Sequence, residues 1–143
     1  MNNDCIFCKM VSGEMKTRVI YEDENTLGIV DTTPRFARGQ CVVMHKRHVT
    51  QFYELEDNEI AELFIAVKRV AKKINDVFKP EYVCTFSRGQ GVPHVHIIVF
   101  PSSPLGTMDG YFNTMQKTRR LVLEEMNESA LDKTAEIIRS SNS

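Results

Sequence analysis

The longest amphipathic pattern in this chain runs from Asp57 to Phe78 and predicts one α-helix. Apolar residues recur there at the i, i+3, i+4, i+7 spacing that gathers side chains onto one helical face. Acidic residues cluster at its start and lysines at its end, as the helix dipole favours, and Pro80 follows as a stop. The predicted apolar face comprises Ile60, Leu63, Phe64, Val67, Val70, Ala71, Ile74, Val77 and Phe78.

Five shorter segments are rich in β-branched and aromatic residues and lie between turn-forming residues, so we predict that they are strands. The turn signal Asp23-Glu24-Asn25 joins the first two and predicts a hairpin. Thr32–Gly39 contains a proline and is predicted to be a loop. The predicted strands are Arg18–Glu22, Thr26–Asp31, Gln40–His45, Tyr82–Phe86 and His94–Phe100.

The pattern is weaker after Pro101. Ser129 and Asp132 have the spacing of a capping box, which predicts a final helix that ends near Arg139. Strands in runs divided by one long helix are typical of an α+β domain with a mostly antiparallel sheet. The residues of the final helix that we expect to face inward are Leu131, Ala135 and Ile138.

Composition and charge narrow the class of protein. The chain has 143 residues, 42% of them hydrophobic and 26% charged, as expected for one soluble domain with a core. Its net charge of −1 gives no general attraction to nucleic acid or to an acidic membrane surface. No apolar run approaches the roughly 20 residues that span a bilayer, and the first residues lack a signal-peptide layout. We therefore expect a cytoplasmic protein that binds neither nucleic acid nor membrane.

Cysteines and histidines suggest a metal site. Cys5 and Cys8 form a C-x-x-C pair, and all four histidines fall within residues 45–48 and 94–96. Two thiolates and two imidazoles make a closed tetrahedral zinc site. A redox dithiol is an alternative, but it favours a thioredoxin-like βαβ setting that the pattern does not predict. Simple packing of the cysteines is another, and spacing alone does not choose which histidines would bind zinc.

The stretch Arg88–Pro101 suggests phosphate chemistry. Side chains alternate on a strand, so His94 and His96 are predicted to share one face with Ile98. Gly89-Gln90-Gly91 can bend tightly and present backbone N–H groups to an anion. A neutral imidazole nitrogen can attack phosphorus near pH 7, and the phospho-imidazole that forms can release the group to water. The alternatives are a pair of metal ligands or two histidines that are simply hydrogen-bonded within the sheet.

A family resemblance is carried by four segments in matching order between Cys5 and about Pro101, namely CIFCK, YEDE, GQCVVMHKRH and GQGVPHVHII. They resemble the histidine triad (HIT) family of nucleotide hydrolases and transferases. The resemblance implies an α+β fold with a five-stranded antiparallel sheet, one long helix and a C-terminal helix, usually in a homodimer. It implies a single HIT-like domain over residues 1–143, with its motif core at 5–101 and an extension at 102–143.

The resemblance also implies a role for each matching residue. The family binds a purine nucleotide and transfers its α-phosphate to the middle histidine of H-x-H-x-H, which here is His96. The ribose-binding aspartate matches Asp31. The zinc ligands of zinc-bearing members fall on Cys5, Cys8, His48 and His94. The remaining nucleotide contacts fall on Ile6, Phe7, Met10 and Ile29 at the base, and on Gln90, Gly91 and Val92 at the phosphate.

Four positions depart from the family's pattern. Ile98 replaces the third histidine, which helps to hold the phosphate and leaving group, and isoleucine can donate no hydrogen bond. Gly91 stands where a serine or threonine is common, Val83 where an asparagine or glutamine is common, and His45 where a proline is usual.

Two functions stay open. One is a zinc-containing hydrolase or nucleotidyl transferase that acts through a covalent nucleotidyl-His96 on a nucleoside phosphoramidate or dinucleoside polyphosphate. The other is a nucleotide-binding regulatory module with weak or no turnover, which the Ile98 departure favours. A zinc-stabilised nucleic-acid module fits poorly, because the net charge is −1 and no stripe of basic and aromatic residues is present.

Overall fold

The fold is a five-stranded antiparallel sheet with helices. A computed structural model describes residue 2 and residues 4–87, 91–102, 107–123 and 127–141. Within these residues the strands are β1 (Val19–Glu22), β2 (Thr26–Val30), β3 (Cys41–His45), β4 (Tyr82–Phe86) and β5 (His96–Ser102). The helices are α1 (Ile6–Val11), α2 (Asp57–Phe78), α3 (Thr107–Leu123) and α4 (Glu128–Ser140), with a 3-10 turn at Phe52–Glu54.

The strands lie in the order β1-β2-β3-β5-β4 and every neighbouring pair is antiparallel. This confirms the α+β fold and the five-stranded antiparallel sheet. The chain forms two compact units, Met1–Pro104 and Leu105–Ser143, and the sheet belongs to the first. The single domain therefore stays a prediction.

Alternate residues of β3 divide the sheet into two faces. Val43 packs on the side that α2 covers, and Met44 packs on the side that α1 covers. We call these the α2 face and the α1 face. The buried core of the α2 face is Cys41, Val43, Val49, Leu55, Leu63, Ala66, Val67, Val70, Ile74, Val95, Ile97 and Val99. The buried core of the α1 face is Cys5, Phe7, Cys8, Leu27, Ile29, Val42 and Met44.

Helix α2 has the bounds that its periodicity predicts. Glu56 caps its first turn in a reciprocal box with Glu59, and Lys79 ends it in the left-handed conformation. A Cβ at Gly28 would lie 3.3 Å from Val70 Cγ2 and 3.1 Å from Tyr21 Cβ, so this glycine lets the helix approach the sheet closely. The residues that α2 buries are Leu63, Ala66, Val67, Val70 and Ile74.

The predicted apolar face of α2 was too wide. Phe64, Val77 and Phe78 are exposed, Val77 by 72%. A helix on a sheet buries only the stripe that points at the sheet, so apolar residues at the margins of the pattern stay at the surface.

The bounds of the histidine strand also need correction. β5 begins at His96 and continues to Ser102, so His94 is not a strand residue. The His94 N–H donates to Val92 O at 2.8 Å, which bends the chain. The Val95 N–H donates to Val49 O at 2.7 Å, so this stretch pairs with the segment after β3 before the strand begins.

The second unit contains α3, which the sequence pattern did not predict, and α4. The cap of α4 is Asn127, whose side chain accepts from the Ala130 N–H at 2.9 Å, so the capping role given to Ser129 was wrong. Leu131 and Ile138 are 44% and 66% exposed, which contradicts their inward placement. None of the helices in the described part of the chain combines the length and the apolar character of a membrane-spanning segment.

Candidate metal and nucleotide site

Helix α1 places two thiols side by side. Cys5 is its N-cap residue and Cys8 lies three residues later, so one helical turn brings both sulfurs to the same side. The Cys5 N–H donates to Asn2 O at 3.1 Å, which holds the chain before the helix. Both cysteines are buried.

Two histidines from distant parts of the chain complete this cluster. His48 follows β3 and His94 precedes β5. The Nδ1 atoms of the two rings lie 3.3 Å apart. Cys5 Sγ lies 3.4 Å from His94 Nδ1, and Cys8 Sγ lies 3.4 Å from His48 Nδ1 and 3.7 Å from His94 Nδ1. All four ligand atoms lie within 4.8 Å of one another, so these residues can hold a metal ion.

Burial shifts the pKa values of two residues in this cluster. It raises the pKa of the Cys8 thiol and lowers the pKa of the His94 imidazole, which favours the neutral form of each. A neutral imidazole is the form that binds a metal, whereas a thiol must lose its proton to do so. A bound cation would therefore reverse the effect of burial on Cys8 but not on His94.

The second ring nitrogen of His94, Nε2, makes a hydrogen bond of its own. His94 Nε2–H donates to His45 O at 2.6 Å, so Nδ1 carries the lone pair that faces the cysteines. Metal-bound histidines usually donate their second ring N–H to a carbonyl or carboxylate in this way. The hydrogen bond therefore selects the tautomer that a metal site needs.

His96 lies next to this cluster on the α1 face. Its Nδ1–H donates to His94 O at 2.6 Å, which leaves the lone pair on Nε2. The Phe7 ring packs edge-on against the His96 ring at 4.9 Å and against the His94 ring at 5.8 Å. His96 is half-buried, so its position is held on one side while the other side stays accessible.

Four of the eight residues expected to bind the nucleotide are placed on this same face. Phe7 and Ile29 are in the buried core of the α1 face, and Met10 and Val92 pack against it. Ile6 is 40% exposed and is not part of that core. The described residues in this set are Ile6, Phe7, Met10, Ile29, Asp31, Gly91 and Val92, and Gln90 lies outside the described residues.

Asp31 follows β2 and its carboxylate is held by neighbours. Oδ2 accepts from Gln40 Nε2 at 2.5 Å, and Oδ1 accepts from the Thr33 N–H at 2.9 Å. Gln40 is fully buried and its own oxygen accepts from the Phe36 N–H at 3.0 Å. The carboxylate is therefore oriented before any ligand binds.

The surroundings of Ile98 are apolar, which the sequence analysis did not foresee. Ile98 pairs with Val42 on one side and with Phe86 on the other. The Phe36 ring lies 5.6 Å from Phe86 and 4.7 Å from Phe100, whose side chain shares the α1 face with Ile98. Phe36 comes from the loop after β2, and a loop aromatic gives no periodic signal that would assign it to a site.

Comparisons with known proteins identify the family and the fold of the chain. A family model described as HIT domain matches residues 12–105. "Protein hit" of Bacillus subtilis (strain 168) is 33% identical over 113 residues, which cover 76% of each protein. "Adenosine 5'-monophosphoramidase hnt1" of Schizosaccharomyces pombe is 33% identical over 102 residues, 68% of this chain and 70% of that protein. The crystal structure of a member of the HIT family of proteins from Bacillus subtilis aligns with a TM-score of 0.75 at 26% identity, over 99% of each chain.

Proposed function

This chain belongs to the HIT domain family, and from that premise we propose that it is a nucleotide hydrolase or nucleotidyl transferase. It acts on the α-phosphate of a purine nucleotide conjugate, of the nucleoside phosphoramidate or dinucleoside polyphosphate type, through a covalent bond to His96. A phosphoramidase among its relatives supports the substrate class. The observation that carries the proposal is the hydrogen bond from His96 Nδ1–H to His94 O, because it leaves Nε2 as a nucleophile of fixed direction.

The reaction has two steps at one nitrogen. His96 Nε2 attacks the α-phosphorus, a nitrogen–phosphorus bond forms, and the leaving group departs with the electron pair of its bond to phosphorus. Positive charge that develops on the ring is stabilised by the His94 carbonyl at Nδ1–H. Water or another acceptor then attacks phosphorus, the nitrogen–phosphorus bond breaks with its electron pair returning to Nε2, and the proton of the acceptor passes to solvent.

We propose that the metal is zinc and that Cys5, Cys8, His48 and His94 are its ligands. A tetrahedral zinc ion with bonds of about 2.0–2.1 Å to nitrogen and about 2.3 Å to sulfur needs nitrogens about 3.4 Å apart, and nitrogen and sulfur about 3.6 Å apart. The nitrogens here are 3.3 Å apart, and three of the four nitrogen–sulfur distances are 3.4, 3.4 and 3.7 Å. A closed site of two thiolates and two imidazoles stabilises structure and leaves no open position for substrate.

In the nucleotide pose that we propose, Asp31 accepts from the ribose hydroxyls. The purine lies against Ile6, Phe7, Met10 and Ile29, and the phosphate lies at Gln90, Gly91 and Val92 beside His96. The shared position of Phe7, Met10, Ile29 and Val92 on the α1 face supports this pose.

A nucleotide-binding regulatory module is the second candidate function, and the surroundings of Ile98 favour it. Ile98 and Phe86 present no polar hydrogen to a leaving group. Such a module would bind AMP without turning over its conjugates.

One experiment separates the two functions. The protein is incubated with a panel of AMP conjugates whose leaving groups are amines, phosphates or acids, while product release and protein mass are followed. An enzyme releases AMP and gains the mass of one adenylyl group that is absent in His96→Ala. Tight AMP binding with neither signal would show a regulatory module.

We also propose a homodimer in the cytoplasm. β4 lies at an end of the strand order, and an edge strand can pair with the same strand of a second copy. Light scattering coupled to size-exclusion chromatography measures the mass of the protein in solution, and a monomeric mass at micromolar concentration would contradict the homodimer.

A further inference from the structure

His45, the residue that departs from the family's usual proline, lies at the end of β3 with its side chain only 2% exposed. Its backbone carbonyl is the acceptor for His94 Nε2–H at 2.6 Å. Its backbone N–H donates to Val95 O at 3.3 Å. The main chain of His45 therefore contacts both the proposed ligand His94 and the residue that follows it.

The ring of His45 has a separate partner. Its Nδ1 accepts from the Arg47 N–H at 3.0 Å, so the ring proton lies on Nε2. Nε2 lies 3.9 Å from Glu59 Oε1, beyond hydrogen-bond length, and makes no hydrogen bond within the described residues. Nδ1 is therefore the ring atom that makes a hydrogen bond within the described residues, and this bond closes the turn from His45 to Arg47.

Arg47 ties the same turn to helix α2. Its Nε–H donates to Glu59 Oε1 at 2.7 Å, and its second guanidinium nitrogen pairs with Glu59 Oε2. Glu59 Oε2 also accepts from the Glu56 N–H at 2.9 Å, at the start of α2. The turn is thus held by the His45 ring inside and by α2 outside, and the next residue is the proposed ligand His48.

We propose that His45 is a positioning residue whose Nδ1 acceptor fixes the turn of residues 45–48 and thereby orients His94 and His48 for the metal. The same contact orients the nucleophile, because His94 O is the acceptor for His96 Nδ1–H. This inference rests on the proposed metal site. It assigns to one buried ring the coupling between the end of β3, two metal ligands and His96.

The test compares three substitutions of His45 by zinc competition against a chromogenic chelator. His45→Leu removes the acceptor, and zinc affinity should fall by about 10- to 100-fold, as for other partners of metal-bound histidines. His45→Asn places an amide oxygen where Nδ1 was and should recover most of the affinity. His45→Gln carries the same amide one methylene further out and should not. Ile74→Ala on α2 is the control, since this buried residue lies 15 positions beyond Glu59 and its truncation lowers the melting temperature far from the turn.

Each outcome decides a different point. A wild-type chain that binds no zinc would overturn the metal centre and this inference together. A zinc-binding wild type with unchanged affinity in His45→Leu, or equal affinities in His45→Asn and His45→Gln, would overturn the role of His45 alone. Nitrogen-15 NMR of the zinc-loaded wild type needs no substitution and decides the case if the variants do not fold. We expect an unprotonated Nδ1 on His45, and a proton there would contradict the proposal.

Discussion

The two faces of the sheet are held in different ways. On the α2 face, one 22-residue helix buries an apolar stripe, and its cap and end are encoded in adjacent residues. On the α1 face, a six-residue helix packs a mixture of aromatic, thiol and imidazole groups drawn from residues 5–8, 48 and 94–96. Isolated helices shorter than about 12 residues are marginal in water, so α1 depends on what it contacts. We infer that the α2 face supplies stability, while the α1 face takes its order from the cluster of candidate metal ligands.

Loss of a metal ligand should give the largest effect, because it should disrupt the α1 face while the α2 face stays intact. Cys8→Ser should reduce zinc from one ion per chain to almost none, measured by elemental analysis of protein purified without added metal. Zinc contributes on the order of 10 kcal/mol to the folding of small zinc domains, so the α1 face should lose its protection from amide hydrogen exchange.

The matched control for Cys8→Ser is Leu63→Ala on the opposite face. It should cost about 2–5 kcal/mol in free energy of unfolding, yet leave the zinc content unchanged. Loss of zinc in Leu63→Ala, or a normal α1 face in Cys8→Ser, would contradict the division of labour between the faces.

A second prediction concerns Ile98 on the α1 face. Ile98→His restores a hydrogen-bond donor beside His96, and one such donor aimed at developing charge is worth about 2.7–4 kcal/mol. Turnover of an AMP conjugate with a poor leaving group should therefore rise by about 100- to 1,000-fold, measured by AMP release. Conjugates with good leaving groups should change little.

Two outcomes bear on that account of position 98. His96→Ala should abolish turnover in either background. Ile98→Gln is assayed beside Ile98→His because it supplies a hydrogen-bond donor without an imidazole. If the wild type already turns over poor substrates quickly, and Ile98→His slows it, the role given to Ile98 is wrong.

The ribose contact should give a smaller effect. Asp31→Asn removes a charge-assisted hydrogen bond, and AMP affinity measured by calorimetry should weaken by about 1–3 kcal/mol. Because the side chain accepts from Gln40 and Thr33, the melting temperature is measured alongside. Unchanged affinity in a folded variant would refute the ribose role.

The smallest effect is expected at Glu59, beside the turn that joins the faces. Its hydrogen bond with Arg47 lowers the pKa of the Glu59 carboxyl from 4.5 to about 2. A carboxyl with a lowered folded-state pKa stabilises fully above about pH 4.5 and loses that contribution as the pH falls towards 2. Urea unfolding across this range should show a shallower acid slope in Glu59→Gln, and identical slopes would exclude the ion pair as a source of stability.

The sequence predicted the α2 face better than the α1 face. The bounds of α2 and β4 follow from periodicity and from flanking turn residues, which act within a few positions. Helix α1 has too few residues to show a period. His94 lies outside its predicted strand because its N–H donates to Val92 O and the next N–H, that of Val95, donates to Val49 O. The set of candidate metal ligands could be predicted only because the family resemblance implied which histidines belong to it.

The role of His45 could not be read from the sequence at all. Its ring lies on the α2 face, yet its carbonyl accepts directly from the Nε2–H of His94 on the α1 side. Contacts of this kind join residues 12 and 49 positions apart, and no local pattern records them.

The separation of the proposed metal ligands along the chain delays assembly of the site during synthesis. Cys5 and His94 are 89 residues apart, so at roughly 5–20 residues per second the first thiol is synthesised on the order of 5–20 s before its last partner. During that interval the cysteines have at most each other and His48 with which to hold an ion. The proposed centre can close only after His94 has been synthesised, when β1 to β4 already precede it in the chain, so it cannot initiate the pairing of those strands during synthesis.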